Sequence, residues 1–234
     1  VQHDDAASLA AVADVVLLML PDLPEVEEVL ADGLLAGDRP LLLLIGSTSS
    51  APGVRALAER LVRETGGRVR VVDAPVSGGV KGATAGTLAF MVGGEDESFA
   101  AAQPVLEPMA GKVIHCGGAG AGQAAKVCNN MILAVSQIAV AEAFVLGEHL
   151  GLDHQALYDV LSTSSGQCWS VTTNCPVPGP VPTSPATCRR AFWTMARRAR
   201  PFLWTDDGLP SISIAASTAS RAASKRGAEA LWSR

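Results

Sequence analysis

The chain has 234 residues, 48% of them hydrophobic and 18% charged, which suits a packed core of one or two domains and excludes a chain too polar to fold. A net charge of −5 gives no reason to expect nucleic acid or an anionic membrane as a partner. Cys116, Cys128, Cys168, Cys175 and Cys188 show neither CxxC pairing nor zinc-type spacing with the four histidines, so no metal site is expected and reduced thiols are.

The first strand is expected within Val12 to Leu20, a continuous apolar run closed by Pro21; such runs are buried on both faces, as in a parallel sheet. Pro24 opens a helical pattern with Val26, Val29, Leu30 and Leu34 on one face. Leu41 to Ile45 is a second buried strand, far too short to span a membrane. Pro52 to Arg63 reads as a helix stopped by Gly66 and Gly67, and Val69 to Val72 as a third strand. A strand over 87–94, a helix over 96–110 and a strand over 112–116 continue the alternation. This order predicts βαβ units in a doubly wound α/β sheet.

From about Gly122 to Leu150 the pattern becomes one long helix, apolar nearly all round, with Lys126 its only Lys or Arg. Such a helix is expected to be buried on most sides. A second helix over about 153–164 has Asp153 as N-cap, and Asn174 to Pro185 is a Pro-rich extended loop. Three parts follow: residues 1–118 as a partial dinucleotide-binding domain, 119–186 as the interdomain helix and the start of an all-α domain, and 187–234 as an atypical tail.

Both ends depart from a whole fold. A dinucleotide fold opens with strand, glycine-rich turn and helix, and nothing before Val12 supplies them. The chain therefore reads as N-terminally truncated. Residues 187–234 hold 9 basic and 3 acidic residues against 9 and 20 in residues 1–186, and three of the four tryptophans. That stretch reads either as out of frame or as a basic extension. Gly120-Ala-Gly122-Gln-Ala-Ala125 fits the dinucleotide fingerprint G-x-G-x-x-[GA], with Glu142 near the expected acidic position. Glu142 falls inside an uninterrupted helix, however, so the segment is better read as a glycine hinge between domains.

Two segments carry chemistry. Asp73-Ala-Pro-Val-Ser-Gly-Gly79 follows a buried strand, at the strand end where α/β sheets bind ligands. Ser77 with the bare amides of Gly78 and Gly79 suits a carboxylate, or is an ordinary glycine turn. Gly122, Lys126 and Asn130 are spaced i, i+4, i+8 on one helix face. A lone lysine there is either a desolvated general acid/base or a side chain that snorkels to water.

Asp73-Ala-Pro-Val-Ser-Gly-Gly79, Phe90-Met-Val-Gly-Gly94 and Gly122-x-x-x-Lys126-x-x-x-Asn130, in this order and at these separations, resemble signature segments of the β-hydroxyacid dehydrogenase family. The similarity runs from about residue 12 to about residue 186. It implies a Rossmann-like doubly wound sheet joined by a long helix to an all-α C-terminal domain, both incomplete here, with NAD as cofactor and NADP left open. It further implies Lys126 as general acid/base, with Ser77, Gly78 and Gly79 on the substrate carboxylate and Asn130 positioning the substrate. Leu20 and Pro21 would touch the dinucleotide, and Ser49, in Gly46-Ser-Thr-Ser-Ser50, would lie near the nicotinamide ribose. Ser164-Ser-Gly-Gln-Cys-Trp-Ser170 and Pro176-Val-Pro-Gly179 are similar to the branch acting on 3-hydroxyisobutyrate in valine breakdown. Locally, Trp169 is equally a core aromatic. The alternatives are a tartronate semialdehyde or glyoxylate reductase type, or an inactive fragment with at most an interaction role. Partners implied are a small β-hydroxyacid and, in the intact family member, further copies of the chain. The compartment expected is the cytoplasm, with the mitochondrial matrix left open. The family's glycine fingerprint and its late Lys-Asp-Leu segment are both missing from this sequence.

Overall fold

β2 (Leu41–Ile45) shows why the strands lack polar alternation. Leu41, Leu43 and Ile45 enter one hydrophobic core while Leu42 and Leu44 enter another on the opposite face. A strand covered on both sides needs apolar residues at every position. The computed structural model describes residues 5–177 and gives a sheet with helices on both faces. β1 (Val15–Leu18), β2 and β3 (Val69–Asp73) run parallel, with Val16 opposite Leu43 and Leu43 opposite Val71.

The first core lies under α1 (Ala6–Ala10), α2 (Leu23–Val29) and α3 (Ala51–Thr65), through Ala10, Val26, Val54, Leu57 and Leu61. α2 starts on a capping box between Asp22 and Glu25. α3 starts on the Ser50 side chain and stops at Gly66, whose φ of 61° suits glycine. The second core lies under α5 (Asp96–Leu106), through Ala102 and Leu106.

The doubly wound expectation holds, but the sheet is mixed. β3 leads through Ala74 and Pro75 into β4 (Val76–Ser77), then a short helix, α4 (Gly79–Ala85), before β5 (Leu88–Gly93) returns antiparallel to β3 and β4. Of the residues between β3 and β5, two form β4, which pairs antiparallel with β5, and only 7 form α4, a helix too short to serve as an ordinary crossover packed on the sheet. β6 (Ala110–Gly117) lies parallel to β5, joined to it through α5. Within the described residues 41–45 is paired on both sides, and β1 forms the sheet's edge.

α6 (Ala121–His149) is one continuous helix, 29 residues long. The chain divides within it into two compact units, 1–132 and 133–234. In the second unit, Val140 and Phe144 of α6 form a core with Leu157, Tyr158 and Leu161 of α7 (His154–Thr163) and with Val171 of α8 (Trp169–Thr172). Asp153 caps α7, accepting from the amides of Gln155 and Ala156. The expectation that α6 is buried on most sides is corrected. Met131, Ile132 and Val135 are each more than 60% exposed, because the described helices cover α6 on one side only. Trp169 is 53% exposed and therefore no core aromatic. By length and composition α6 could also cross a membrane, but its first turn is bonded to the sheet, as described below. Most of the loop expected over 174–185, and all of the tail over 187–234, lie outside the described residues.

Candidate active site

β1, β2 and β3 run parallel, so their carboxyl ends meet at one edge of the sheet. Leu20 and Pro21 follow β1 there, Ser47 and Ser49 follow β2, and Asp73 closes β3. Hydrogen bonds tie these ends together. The Leu20 N–H donates to Ser47 Oγ at 2.9 Å. Gln123 Nε2 donates to the Ser47 carbonyl at 2.7 Å, and Gln123 Oε1 accepts from the Ser49 N–H at 2.9 Å. The N-terminus of α6 is thereby joined to the loop after β2.

Asp73 supplies the second tie. Its carboxylate, fully buried, accepts from the Gly120 N–H and the Gln123 N–H, both at 2.7 Å, and also from the Gly122 amide. Burial pushes the Asp73 carboxyl above the usual carboxylate range, and these amides pull it part of the way back. A helix N-terminus attracts anions, and here the anion is a side chain of the same chain. This explains why the fingerprint-like Gly120 to Ala125 is no pyrophosphate cradle: Asp73 fills the place a phosphate would take. The close fit needs glycine, since a Cβ on Gly122 would come within 2.2 Å of the Met91 carbonyl oxygen.

Lys126 lies one turn beyond Gln123 on α6 and is partly buried. Among the described residues it makes no hydrogen bond or ion pair, and burial alone holds its pKa below the ordinary lysine value. Asn130, one turn further along, is also partly buried. Gly78 and Gly79 have φ of 134° and 58°, conformations that favour glycine, and they sit exposed at the turn between β4 and α4. Ser77 ends β4, opposite Ala89 of β5.

The structure thus brings Leu20, Ser49 and the start of the Lys126 helix into one bonded network. Pro21 is exposed beside it. Ser77, Gly78 and Gly79 join that network only through the chain that leaves Asp73 at the end of β3 and runs through Ala74 and Pro75 into β4; no hydrogen bond among the described residues links them to Lys126 or Asn130. Sequence reasoning missed Asp73 and Gln123. The one available signal was a carboxylate and an amide side chain in segments otherwise too apolar to be solvated.

Residues 1–118 match the family described as the NAD binding domain of 6-phosphogluconate dehydrogenase. Residues 120–180 match the NAD-binding family of NADP-dependent 3-hydroxyisobutyrate dehydrogenase. The chain is 60% identical over 185 residues to a protein of Mycobacterium tuberculosis named probable 3-hydroxyisobutyrate dehydrogenase, covering 77% of this chain and 60% of that relative. Over 175 residues it is 46% identical to the mitochondrial 3-hydroxyisobutyrate dehydrogenase of Homo sapiens, covering 74% of this chain and 52% of that one. A solved structure of Mycobacterium tuberculosis 3-hydroxyisobutyrate dehydrogenase with L-serine superposes with a TM-score of 0.73 at 49% identity, covering 87% of this chain and 73% of that chain. The chain therefore spans little more than half the length of the two named relatives.

Proposed function

This chain belongs to the 3-hydroxyisobutyrate dehydrogenase family of β-hydroxyacid dehydrogenases, and from that membership we propose that the protein oxidises 3-hydroxyisobutyrate to methylmalonate semialdehyde with NAD(P)⁺, a step of valine breakdown. The observation that carries this reading is Lys126: a partly buried lysine without a counter-charge among the described residues, one turn from a helix end bonded to the ligand edge of the sheet.

The cofactor's nicotinamide end fits what is present. Ser49 Oγ is buried and has no hydrogen-bond partner among the described residues, an unmet group that a ribose hydroxyl would satisfy. Residues 1–14 contain no glycine, so they offer no cradle for the pyrophosphate. When bound, the cofactor supplies the hydride acceptor for C3 of the substrate. Lys126 Nζ, in its neutral form, takes the proton of the C3 hydroxyl as the carbonyl forms; in the reverse direction it returns that proton to the carbonyl oxygen. Ser77 and the amides of Gly78 and Gly79 hold the carboxylate, and Asn130 positions the substrate beside Lys126. The relative solved with L-serine supports this assignment, because L-serine carries the same carboxylate and β-hydroxyl.

Cys116, Cys128 and Cys168 form no disulfide among the described residues, which supports a reducing compartment, the cytoplasm or a mitochondrial matrix. The apolar face of α6 that the described residues leave exposed, with Met131, Ile132 and Val135, supports a homo-oligomer. To test the reaction, the full-length protein is assayed with NAD⁺ and NADP⁺ against a panel of small β-hydroxyacids. The highest kcat/KM is expected for 3-hydroxyisobutyrate; a higher value for tartronate semialdehyde or glyoxylate reduction overturns the substrate assignment.

A further inference from the structure

Gln123 has no solvent exposure, and every polar atom of its side chain is engaged. Its two amide ends bond the backbone on either side of Thr48, at the Ser47 carbonyl and the Ser49 N–H, and its own N–H is held by Asp73. Ser47 in turn holds the N–H of Leu20. Two of the three loop residues assigned to the cofactor, Ser49 directly and Leu20 through Ser47, thus connect to a single side chain in the first turn of α6. Lys126 lies three residues further on, over the same side of the helix. Side-chain bonds that reach 74 and 76 residues back along the sequence are more than local capping requires, since Asp73 and the Gly118 carbonyl already take up the amides of the helix end.

We propose that Gln123 is a positioning residue, a clamp that fixes the Ser47–Ser49 loop against the helix carrying Lys126 and so sets the distance between bound nicotinamide and the catalytic amine. This rests on the reaction proposed above and adds the residue that holds its two halves in register. Gln123 touches neither substrate nor cofactor; it acts through Ser49 and Lys126.

The test replaces Gln123 by methionine, of similar shape but unable to hold either backbone group, in the full-length enzyme. A misplacement of roughly 1 Å costs on the order of a hundredfold in rate, so kcat should fall at least about tenfold. Loss of the two hydrogen bonds that order the loop should weaken NADH binding, read by fluorescence titration without turnover, by at least about two- to tenfold. KM for the hydroxyacid, set at Ser77 to Gly79, should stay nearly constant. If kcat and NADH affinity both match wild type while only the melting temperature drops, Gln123 is a packing residue and the proposal is wrong. Should the methionine variant not fold, Gln123→Glu, which keeps the acceptor facing Ser49, is judged by the same two readouts. If the wild-type enzyme oxidises no β-hydroxyacid, the reaction assignment fails, yet the NADH titration still decides the clamp: unchanged affinity in Gln123→Met overturns it.

Discussion

Lys126 and Asp73 are both pushed toward neutrality by burial, but only Asp73 is compensated, by the amides of Gly120, Gly122 and Gln123. Lys126 has no such partner among the described residues, so desolvation alone sets the direction of its shift. The sign for stability follows. A lysine whose folded pKa lies below its unfolded one weakens the fold once both states carry the charge; that penalty is absent above the ordinary lysine value, grows as pH falls from that value toward the folded pKa, and is complete below it. The sign for catalysis runs the same way. Oxidation needs the neutral amine, so kcat for hydroxyacid oxidation should rise with pH, with a midpoint below the ordinary lysine value, while the reverse reduction falls over the same window. A midpoint at or above the ordinary value, or a flat profile, contradicts the assignment. Lys126 was legible in the sequence because a single cation in 29 apolar-rich residues stands out. Gln123 and Asp73 were not, because their meaning comes from bonds to partners 50 and 74 residues away.

At the scale of elements, the seat of α6 against β5 decides where Lys126 points. Gly122 makes that seat possible, and the contact is testable against a neighbour in the same loop. A Cβ on Gly122 would lie 2.2 Å from the Met91 carbonyl oxygen and 2.9 Å from Asp73 Oδ2, whereas a Cβ on Gly118 would meet nothing within 4 Å. Gly122→Ala should therefore cost roughly 1–3 kcal/mol of stability from overpacking and lower kcat, as α6 lifts away from the sheet. Gly118→Ala should change neither the melting temperature nor kcat appreciably. Equal tolerance of both substitutions would mean that α6 is not seated as described. The glycine at 122 was readable from spacing as a place that leaves room, though not what it makes room for. The reversal of β5 was unreadable, since strand direction depends on how β4 and α4 turn the chain. α4 also gives little signal, with two glycines among its seven residues.

For the molecule as a whole, the alternation of apolar runs and amphipathic segments was enough to place every parallel strand and the helices α3, α5, α6 and α7 within a few residues. Long continuous apolar runs have few other uses in a chain with this little charge. The degree to which α6 is covered was not legible, because an apolar surface looks the same in sequence whether the described neighbours reach it or not. The site reads as a junction: three strand ends supply one side, the first turns of α6 supply the other, and Gln123 and Asp73 fasten them together. The central claim is that Lys126 performs proton transfer and does not bind the cofactor. The most direct measurement is Lys126→Ala in the full-length protein, with kcat and NADH affinity determined side by side. A general acid/base contributes about 10²–10⁴-fold, so kcat should fall by at least about a hundredfold while NADH affinity remains near that of wild type. A kcat within about tenfold of wild type, or a loss of NADH affinity that matches the loss of turnover, would contradict it.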